Sequence, residues 1–510
     1  MNVRPEDLEE LRALVGDDGV LESEAARFTY EADALTLERG RPDVVVLPRS
    51  TDETAALVRW ARAHGAPVTA RGAGTGLAGG STPRRGGILL SLNRMDQIVR
   101  IDADRMFAWV QAGLVNLELS NRTAAQGLHF APDPGSQQVS TIGGNVAADA
   151  GGPHCLKYGV THHHVLGMIV VLHDGSVIQL GGEACDAPGG DLASLVAGSE
   201  GTLAIITEVC VRLTPLAEAV QTLLADFADV ADACRAVSAV IAAGIVPAAM
   251  EIMDTTTIGV VEAWLHLGLP ADAGGLLLIE VDGAAASLGP QVERIAAIAR
   301  EHRARTVRTA RDAGERAALW RGRKSAFGAY GRTGRGFAVM DGVVPRTRLA
   351  EAITAVYALA RERGLAAGNL LHAGDGNLHP HVMFDEDDPR ERRAALEVSH
   401  DILRMCIRLG GTISGEHGIG LEKAPLMAEL YAPEDLALMA RLRRAFDPGG
   451  LLNPCKILPG QEDCAGNEAA EPTSRAAVGA AAAPGGTSTR GGTRTRDRTS
   501  TRGGAEEPWT

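Results

Sequence analysis

The stretch Arg71-Gly-Ala-Gly-Thr-Gly-Leu-Ala-Gly-Gly80 places five glycines in ten residues, directly after an apolar run at residues 67–70 that is typical of a buried strand. Glycines let backbone N–H groups approach a phosphate closely, as loops that bind dinucleotides do. A Rossmann loop would open a helix at this point, but Ser81-Thr82-Pro83 follows instead. The stretch therefore predicts a backbone nest for an anion without a Rossmann fold.

The sequence before this glycine loop predicts a β-α-β unit. Val44-Val45-Val46 is typical of a buried strand, and Ser50-Thr51-Asp52-Glu53 has the pattern of a helix capping box. Gly65 is expected to end that helix, because glycine readily takes the left-handed conformation found after helix ends.

Two further glycine clusters follow. The first runs from Pro132-Asp-Pro-Gly-Ser136 through Thr141-Ile-Gly-Gly-Asn145 to Gly151-Gly152, and the second begins at Gly198. The first is too long for an ordinary hairpin turn. It predicts a chain segment against which a flat ligand lies.

Size and charge limit the kind of protein. The chain has 510 residues and a formal net charge of −14. The length predicts two or three domains, and the negative charge argues against nucleic acid or an anionic membrane surface as a general partner. The first residues lack an apolar secretory core and no long apolar span is present, so we expect a cytoplasmic protein without a transmembrane segment. Peripheral association with the inner face of the membrane is left open.

The fold class predicted is α+β. We expect a first domain over residues 1–216 and a second over 217–459, the latter with helices at 231–243 and 290–302 packed on an antiparallel sheet. We expect its C-terminal end to return to the first domain. Residues 460–510, rich in Ala, Gly, Thr and Arg, are predicted to form a disordered tail.

The second domain contains the residues with the strongest metal-binding chemistry. His372-Ala-Gly-Asp-Gly-Asn-Leu-His379-Pro-His381 is rich in turn residues, so the chain can double back and bring His372 and His379 together. Glu416, in Ser-Gly-Glu-His-Gly-Ile-Gly, adds a carboxylate. Two imidazoles and a carboxylate favour one divalent ion, Zn²⁺ or Mn²⁺ rather than Mg²⁺. His381 shares a strand face with His379 and is a further candidate ligand or substrate contact.

These motifs together resemble the flavoproteins of the vanillyl-alcohol-oxidase type. His372 to His379, Ser414 to Gly420 and Leu452-Asn-Pro454 are similar to the branch containing the flavoprotein of glycolate oxidase and FAD-linked D-lactate and D-2-hydroxyglutarate dehydrogenases. The resemblance implies a two-part FAD-binding domain, an α+β cap domain and bound FAD. Because the glycine loop carries neither His nor Cys, we expect the FAD to be non-covalent.

The resemblance also implies which residues contact FAD. They are Arg71, Gly72, Gly74, Thr75, Gly76, Leu77, Pro132, Asp133, Gly135, Thr141, Gly143, Gly144, Asn145, Gly151, Gly152, Gly201, Ile206 and Asn453.

The reaction implied by the resemblance is oxidation of a small D-2-hydroxy acid, glycolate or D-lactate-like, with hydride transfer to N5 of FAD. The ion held by the three ligands would stabilise the developing alkoxide. His417 is the expected general base, with the alternative that it only orients its loop. Arg323, in a Trp-x-x-Arg segment similar to that of the D-2-hydroxyglutarate branch, is expected to bind the substrate carboxylate.

Three positions depart from that branch: Phe327 replaces Thr, Val339 replaces Lys and His381 replaces Asn. These changes favour a small acid over a five-carbon diacid. D-2-hydroxyglutarate oxidation, a flavin-binding electron-transfer subunit of a multi-subunit glycolate oxidase, and a metalloenzyme without flavin stay as alternatives. The sequence does not identify the electron acceptor or partner subunit, and we expect a homo-oligomer or a hetero-complex.

Two other motifs are open to more than one interpretation. Cys155 lies in a glycine-rich loop, where a packing role is favoured over a reactive thiol. The run His162-His163-His164 is favoured as a polar loop, because consecutive side chains point in different directions and cannot all face one ion.

Overall fold

The computed structural model describes residues 3–184 and 189–460. The tail predicted for residues 460–510 therefore lies outside the described residues, apart from Gly460.

The first part of the chain forms short strands and helices. The strands are Val20–Leu21 (β1), Val44–Val46 (β2), Val68–Arg71 (β3), Ile88–Ser91 (β4), Ile98–Asp102 (β5), Phe107–Gln111 (β6), Leu128–His129 (β7), Val165–Val171 (β8), Val177–Gly181 (β9), Ile205–Arg212 (β10) and Thr214–Pro215 (β11). The helices are Leu8–Val15 (α1), Glu24–Thr29 (α2), Thr51–His64 (α3), Asn116–Thr123 (α4), Ile142–Ala148 (α5), Cys155–Tyr158 (α6) and Leu192–Val196 (α7).

These strands form two main sheets. The first has the order β1-β2-β4-β3, with β2, β4 and β3 parallel, and the second is antiparallel in the order β5-β6-β10-β8-β9. All three residues of β2 are buried, as expected of an apolar strand in a parallel sheet. Helix α3 begins after Ser50, whose hydroxyl accepts from the Glu53 N–H at 3.1 Å, and ends at Gly65 with φ of 63°. The predicted N-cap at Ser50 and the predicted helix end at Gly65 are confirmed.

The second part of the chain contains one large sheet. Its strands are Ala219–Phe227 (β12), Ala249–Asp254 (β13), Gly275–Gly283 (β14), Ala304–Thr309 (β15), Gly336–Val339 (β16), Gly342–Val343 (β17), Ala366–His372 (β18) and Asn377–Phe384 (β19). The helices are Val230–Ala242 (α8), Thr255–Leu265 (α9), Ala285–Glu301 (α10), Ala313–Lys324 (α11), Ala326–Gly331 (α12), Leu349–Glu362 (α13), Pro389–Arg408 (α14), Met427–Leu430 (α15) and Pro433–Phe446 (α16).

The large sheet is antiparallel, with the order β15-β12-β14-β13-β18-β19-β16 and β17 beside β19. Its faces are covered by helices, and the buried side chains form clusters around residues such as Phe227, Ile279 and Leu371. Helices beside an antiparallel sheet make the α+β class predicted from the sequence. The boundary near residue 216 stays a prediction.

One predicted helix boundary is wrong. Helix α10 begins at Ala285 rather than at Pro290, and Pro290 lies inside it. Ala285 and Ala286 are strong helix formers, and the helix continues through Pro290 although a proline inside a helix removes a backbone hydrogen bond.

The chain finally returns to the first sheet. The Val68 N–H donates to the Leu451 carbonyl at 2.9 Å, and the Asn453 N–H donates to the Val68 carbonyl at 2.7 Å. Residues near 452 therefore lie beside β3, next to the glycine loop. Within residues 3–184 and 189–460, every helix is too short or too polar to cross a membrane.

Candidate active site

A cavity of about 650 Å³ lies between the glycine loops of the first part and the large sheet of the second. Its walls include the loop after β3, the N-terminal end of α5, the segment 323–328 and the end of strand β18. Most of the predicted FAD contacts and all three predicted metal ligands line this one cavity.

Close packing explains two glycines of the first loop. A Cβ atom on Gly72 would overlap the Thr141 hydroxyl, and one on Gly74 would overlap the Arg71 guanidinium. Gly74 also has a φ of 73°, which a side chain disfavours. The loop backbone therefore lies directly on the cavity, where its N–H groups can face a ligand.

The donor atoms of this wall fit FAD. Ser140 Oγ and Asn145 Nδ2 are buried, line the cavity and have no hydrogen-bond partner among the described residues. Buried polar atoms are normally paired, so these two indicate a polar ligand. Bare glycine backbone suits a pyrophosphate, and the apolar wall at Ala204, Ile205 and Ile206 suits a flat ring.

Thirteen of the predicted FAD contacts line this cavity. They are Arg71, Gly72, Gly74, Thr75, Gly76, Leu77, Gly135, Thr141, Gly143, Gly144, Asn145, Gly201 and Ile206. The Arg71 guanidinium is itself held by the Ala32 carbonyl at 2.8 Å, and burial lowers its pKa.

Five others lie behind the wall. The Pro132 carbonyl accepts from Asn116, and the Asn453 amide donates to the carbonyls of Gly80 and Glu200 at 2.8 and 2.6 Å. Asp133 binds His154, while Gly151 and Gly152 are packed against Cys155, Glu416 and Asp133. These five residues are not among those that line the cavity, and their contacts are with the loops that do.

The predicted metal ligands meet at the end of a hairpin. Strands β18 and β19 pair so that His372 lies opposite Asn377. Glu416 Oε1 lies 3.2 Å from His372 Nε2 and 2.9 Å from His379 Nε2. All three side chains line the cavity, and both imidazoles approach the same carboxylate oxygen of Glu416. The geometry of this cluster fits a three-ligand site with positions open to the cavity.

A second cluster, Asp341 with His379 and His417, is an alternative set of ligands. Asp341 is fully buried, and its carboxylate is already saturated with hydrogen bonds. It accepts from Ser414 Oγ at 2.7 Å, Gly415 N at 3.1 Å, Glu416 N at 3.1 Å, His417 N at 2.8 Å and Lys423 Nζ at 2.9 Å. Burial alone would raise the pKa of Asp341, but the Lys423 ammonium and the nearby histidines hold it well below its usual range. Asp341 therefore anchors the loop and is not a free ligand.

The loop of residues 414–423, here called the Glu416 loop, is anchored at its other end by Glu200. The buried Glu200 carboxylate accepts from the Ile419 N–H at 2.7 Å and from the Gly420 N–H at 2.9 Å. Two buried carboxylates from distant segments thus fix the backbone that presents Glu416 and His417.

His417 lies beside the ligand cluster. Its ring stacks on that of His379, with centroids 5.0 Å apart, and its Nδ1 has no hydrogen-bond partner within residues 3–184 and 189–460. Burial lowers the pKa of His417 to about 4, so its imidazole is neutral at neutral pH.

Arg323 lines the cavity but is not free. Its Nη2 lies 2.5 Å from Glu251 and 3.2 Å from His372 Nδ1. Glu251, which is 1% exposed, also lies 2.9 Å from His372 Nδ1 and so orients that ring. The sequence prediction missed Glu251, although a carboxylate within an apolar strand is a signal of a buried pair.

Neither Cys155 nor the three consecutive histidines belong to the ligand cluster. Cys155 Sγ accepts from the Gly152 N–H at 3.0 Å, and burial raises the pKa of its thiol, which favours a packing role. His162, His163 and His164 bind Asp149, Val160 and Tyr158 respectively, as expected of a polar loop.

His154 links the first part of the chain to the second, and the sequence prediction also missed it. Its Nδ1 lies 2.8 Å from Asp133, and its Nε2 lies 3.3 Å from Glu280 on β14. Trp320, on the helix that carries Arg323, donates to Glu280 at 2.6 Å. Burial alone would lower the pKa of His154, but Asp133 and Glu280 raise it to about 10.

We expect His154→Gln to lower the free energy of unfolding by about 3 kcal/mol at pH 6, because it breaks a buried ion pair. The pKa of His154 is ~6.5 in the unfolded chain and about 10 in the folded protein. The pairing of the His154 imidazolium with Asp133 and Glu280 therefore stabilises the folded protein fully below pH ~6.5. This contribution is lost as pH rises through 10. Thermal unfolding of wild type and variant should therefore differ most near pH 6 and least above pH 10.

A matched control is His162→Gln, which removes a more exposed pair with Asp149 and should cost less than about 1 kcal/mol. If the free energies of unfolding of wild type and His154→Gln differed by the same amount at pH 6 and at pH 10, the proposed charged state of His154 would be wrong.

Comparison with known proteins is consistent with this architecture. Residues 42–181 match the family described as FAD binding domain, and residues 216–457 match FAD linked oxidases, C-terminal domain. Glycolate oxidase subunit GlcD of Escherichia coli (strain K12) is 42% identical over 446 residues, covering 88% of this chain and 89% of that protein. D-lactate dehydrogenase of Anaerostipes hadrus is 32% identical over 455 residues, covering 88% and 94%.

A solved structure of p-cresol methylhydroxylase with substrate bound has a TM-score of 0.74 at 17% identity, covering 89% of this chain and 97% of that one. This likeness concerns the fold. Together with the cavity and its glycine loops, these matches show that the chain belongs to the family of FAD-linked oxidases and is an FAD-dependent oxidoreductase with an FAD-binding fold of the vanillyl-alcohol-oxidase type.

Proposed function

We propose that this enzyme oxidises the CH–OH group of a small D-2-hydroxy acid, of the size of glycolate or D-lactate, to the 2-oxo acid. The observation that carries the proposal is the cluster His372, His379 and Glu416, with His417 beside it, in the same cavity as the FAD loops. Relatives named glycolate oxidase subunit and D-lactate dehydrogenase support the substrate class.

The metal is part of this proposal. Two imidazoles and a carboxylate favour Zn²⁺ or Mn²⁺, and such an ion would supply Lewis-acid stabilisation to a developing alkoxide. His372 is oriented for ligation because Glu251 holds its other ring nitrogen. The Glu416 loop is fixed by Asp341 and Glu200, so the carboxylate needs little rearrangement to bind.

His417 is the proposed general base. The reaction removes two hydrogens from the substrate, one from the hydroxyl group and one from carbon 2. A neutral His417 takes the hydroxyl proton, and the Asp341 carboxylate nearby stabilises the resulting imidazolium. FAD, when bound, accepts the hydrogen of carbon 2 as a hydride.

Arg323 is proposed to bind the substrate carboxylate. It is buried at the cavity wall, its Nε has no hydrogen-bond partner in the described part of the chain, and one terminal nitrogen is held by Glu251. Pairing with Glu251 fixes the planar group while leaving donors for a carboxylate, whose two oxygens match such a fork.

The wall beside Arg323 supports a small substrate. Trp264, Phe327, Val339 and Leu370 all line the cavity there. These four apolar side chains offer a distal carboxylate no hydrogen bond, which favours a small acid, although Lys324 also lines the cavity.

The name of the Escherichia coli relative describes a subunit, which supports a hetero-complex to which electrons pass from FAD. An electron-transfer subunit without its own substrate is the second candidate, but the intact ligand cluster and His417 favour the enzyme. A cytoplasmic location, with peripheral association at the inner face of the membrane, stays a prediction.

Anaerobic mixing of the purified protein with D- and L-2-hydroxy acids tests the proposal. We expect glycolate and D-acids to bleach the visible absorbance of the flavin and L-acids to leave it unchanged. Bleaching by none of these acids would overturn the proposed oxidation.

A further inference from the structure

His381 has an acceptor atom that the mechanism does not use. Its Nδ1 lies 2.8 Å from the backbone carbonyl oxygen of His379. A carbonyl oxygen only accepts, so Nδ1 carries the hydrogen of this bond. The other ring nitrogen, Nε2, has no hydrogen-bond partner among residues 3–184 and 189–460, although His381 is only 1% exposed. In a neutral ring with Nδ1 protonated, Nε2 is an acceptor.

The ring of His381 is held in one orientation. It stacks on Tyr330, with centroids 4.2 Å apart and planes 14° from parallel, and Phe337 stacks at 5.6 Å. The Tyr330 hydroxyl is itself 2.8 Å from Thr257 Oγ1, which fixes the aromatic ring. Turning His381 over would break the bond to His379, so Nε2 is a preorganised acceptor in apolar surroundings.

His381 also lies at a distinct place in the cavity. It is not part of the ligand cluster of His372, His379 and Glu416, whose donor atoms lie within 4.8 Å of one another. It is the direct strand partner of Val339, and both residues line the cavity. His381 therefore lies in the cavity wall beside Val339, outside the ligand cluster.

We propose, on the basis of the proposed function, that Nε2 of His381 accepts a hydrogen bond from a hydroxyl group on carbon 3 of the substrate. The substrate carboxylate has no hydrogen to donate, and the proton of the 2-hydroxyl goes to His417. A donor on carbon 3 is the remaining match for this acceptor. The favoured substrates are thus 2,3-dihydroxy acids such as D-glycerate.

The acceptor discriminates between substituents on carbon 3. A methyl group, as in D-lactate, leaves a buried acceptor unpaired, whereas a hydroxymethyl group satisfies it. A carboxylate on carbon 3, as in D-malate, would place one of its oxygens, which only accept hydrogen bonds, against Nε2 of His381, which also accepts. We expect kcat/KM for D-glycerate to exceed that for D-lactate by about tenfold or more, with D-malate poorer than both.

Two variants test this directly. His381→Leu removes the acceptor at similar volume and should bring the ratio of kcat/KM for D-glycerate to kcat/KM for D-lactate close to one, whatever the absolute rates. His381→Gln restores an oxygen acceptor and should recover much of the preference. Flavin content and thermal unfolding of each variant establish that it is folded.

Binding gives a measurement independent of turnover. Isothermal titration calorimetry with hydroxypyruvate and pyruvate, the corresponding 2-oxo acids, should give about tenfold tighter binding of hydroxypyruvate to the wild type. The difference should vanish in His381→Leu.

Equal kcat/KM values for D-glycerate and D-lactate in the wild type would overturn this inference, as would a ratio unchanged by His381→Leu. Preference for D-malate would also overturn it, because Nε2 would then be acting as a donor. If no acid reduces the flavin, the proposed oxidation fails, and the two oxo-acid affinities still decide the role of His381.

Discussion

Glu416→Gln is expected to lower the rate of substrate-driven flavin reduction by about a thousandfold, while FAD stays bound. Glu416 Oε1 is the atom that both imidazoles of the ligand cluster approach, at 3.2 and 2.9 Å. An amide oxygen is a neutral and weaker ligand, so the variant should lose the divalent ion. The loss corresponds to several kcal/mol of charge stabilisation in the transition state.

The measurement combines stopped-flow flavin reduction with metal analysis of the purified protein. We expect the variant to carry flavin but little metal. Chelation of the wild type should reproduce this state, and added Zn²⁺ or Mn²⁺ should restore reduction in the wild type alone.

Glu422→Gln is the matched control, since Glu422 is a carboxylate on the same loop outside the ligand cluster. Burial raises the pKa of Glu422 to about 7, so an amide resembles its protonated form. This variant should keep metal and activity. Full reduction rates in metal-free wild type would exclude the ion from the reaction.

Local chemistry explains why much of this fold could be predicted from the sequence. Helix α3 was predicted from its own cap and stop, because Ser50 and Gly65 act within a few residues. The meeting of His372 and His379 was likewise predicted from the turn residues between them. In both cases, the residues that determine the local structure lie within one short segment of the chain.

The support around the site depends on contacts between distant segments, which a single sequence does not contain. Glu251 reaches His372 from 121 residues away, and Asp341 binds the backbone of residues 415–417. Nothing near Glu200 in the sequence indicates that its carboxylate anchors the backbone after His417. A linear motif identifies the residues that perform chemistry, but it does not identify those that hold them in place.

His417→Gln is expected to lower kcat by about 10²–10⁴-fold, the usual contribution of a general base, with flavin and metal retained. The side chain of His417 is 11% exposed, its Nδ1 has no hydrogen-bond partner among the residues that the structure describes, and burial, which lowers its pKa to about 4, keeps the ring neutral. Glutamine can occupy similar space and form hydrogen bonds, but it cannot take a proton. Steady-state kinetics with the best D-2-hydroxy acid measure the effect, and His302→Gln, at the residue that follows α10 and outside the cavity lining, serves as the control.

The same variant separates the two interpretations of His417. If the side chain only oriented the Glu416 loop, its loss would weaken metal binding together with turnover, because Glu416 is the adjacent residue. The backbone of that loop is already held by Asp341 at the His417 N–H and by Glu200 beyond it. We therefore expect metal affinity close to that of the wild type and a loss confined to kcat, since the imidazole contributes the proton acceptor and the two carboxylates contribute the geometry.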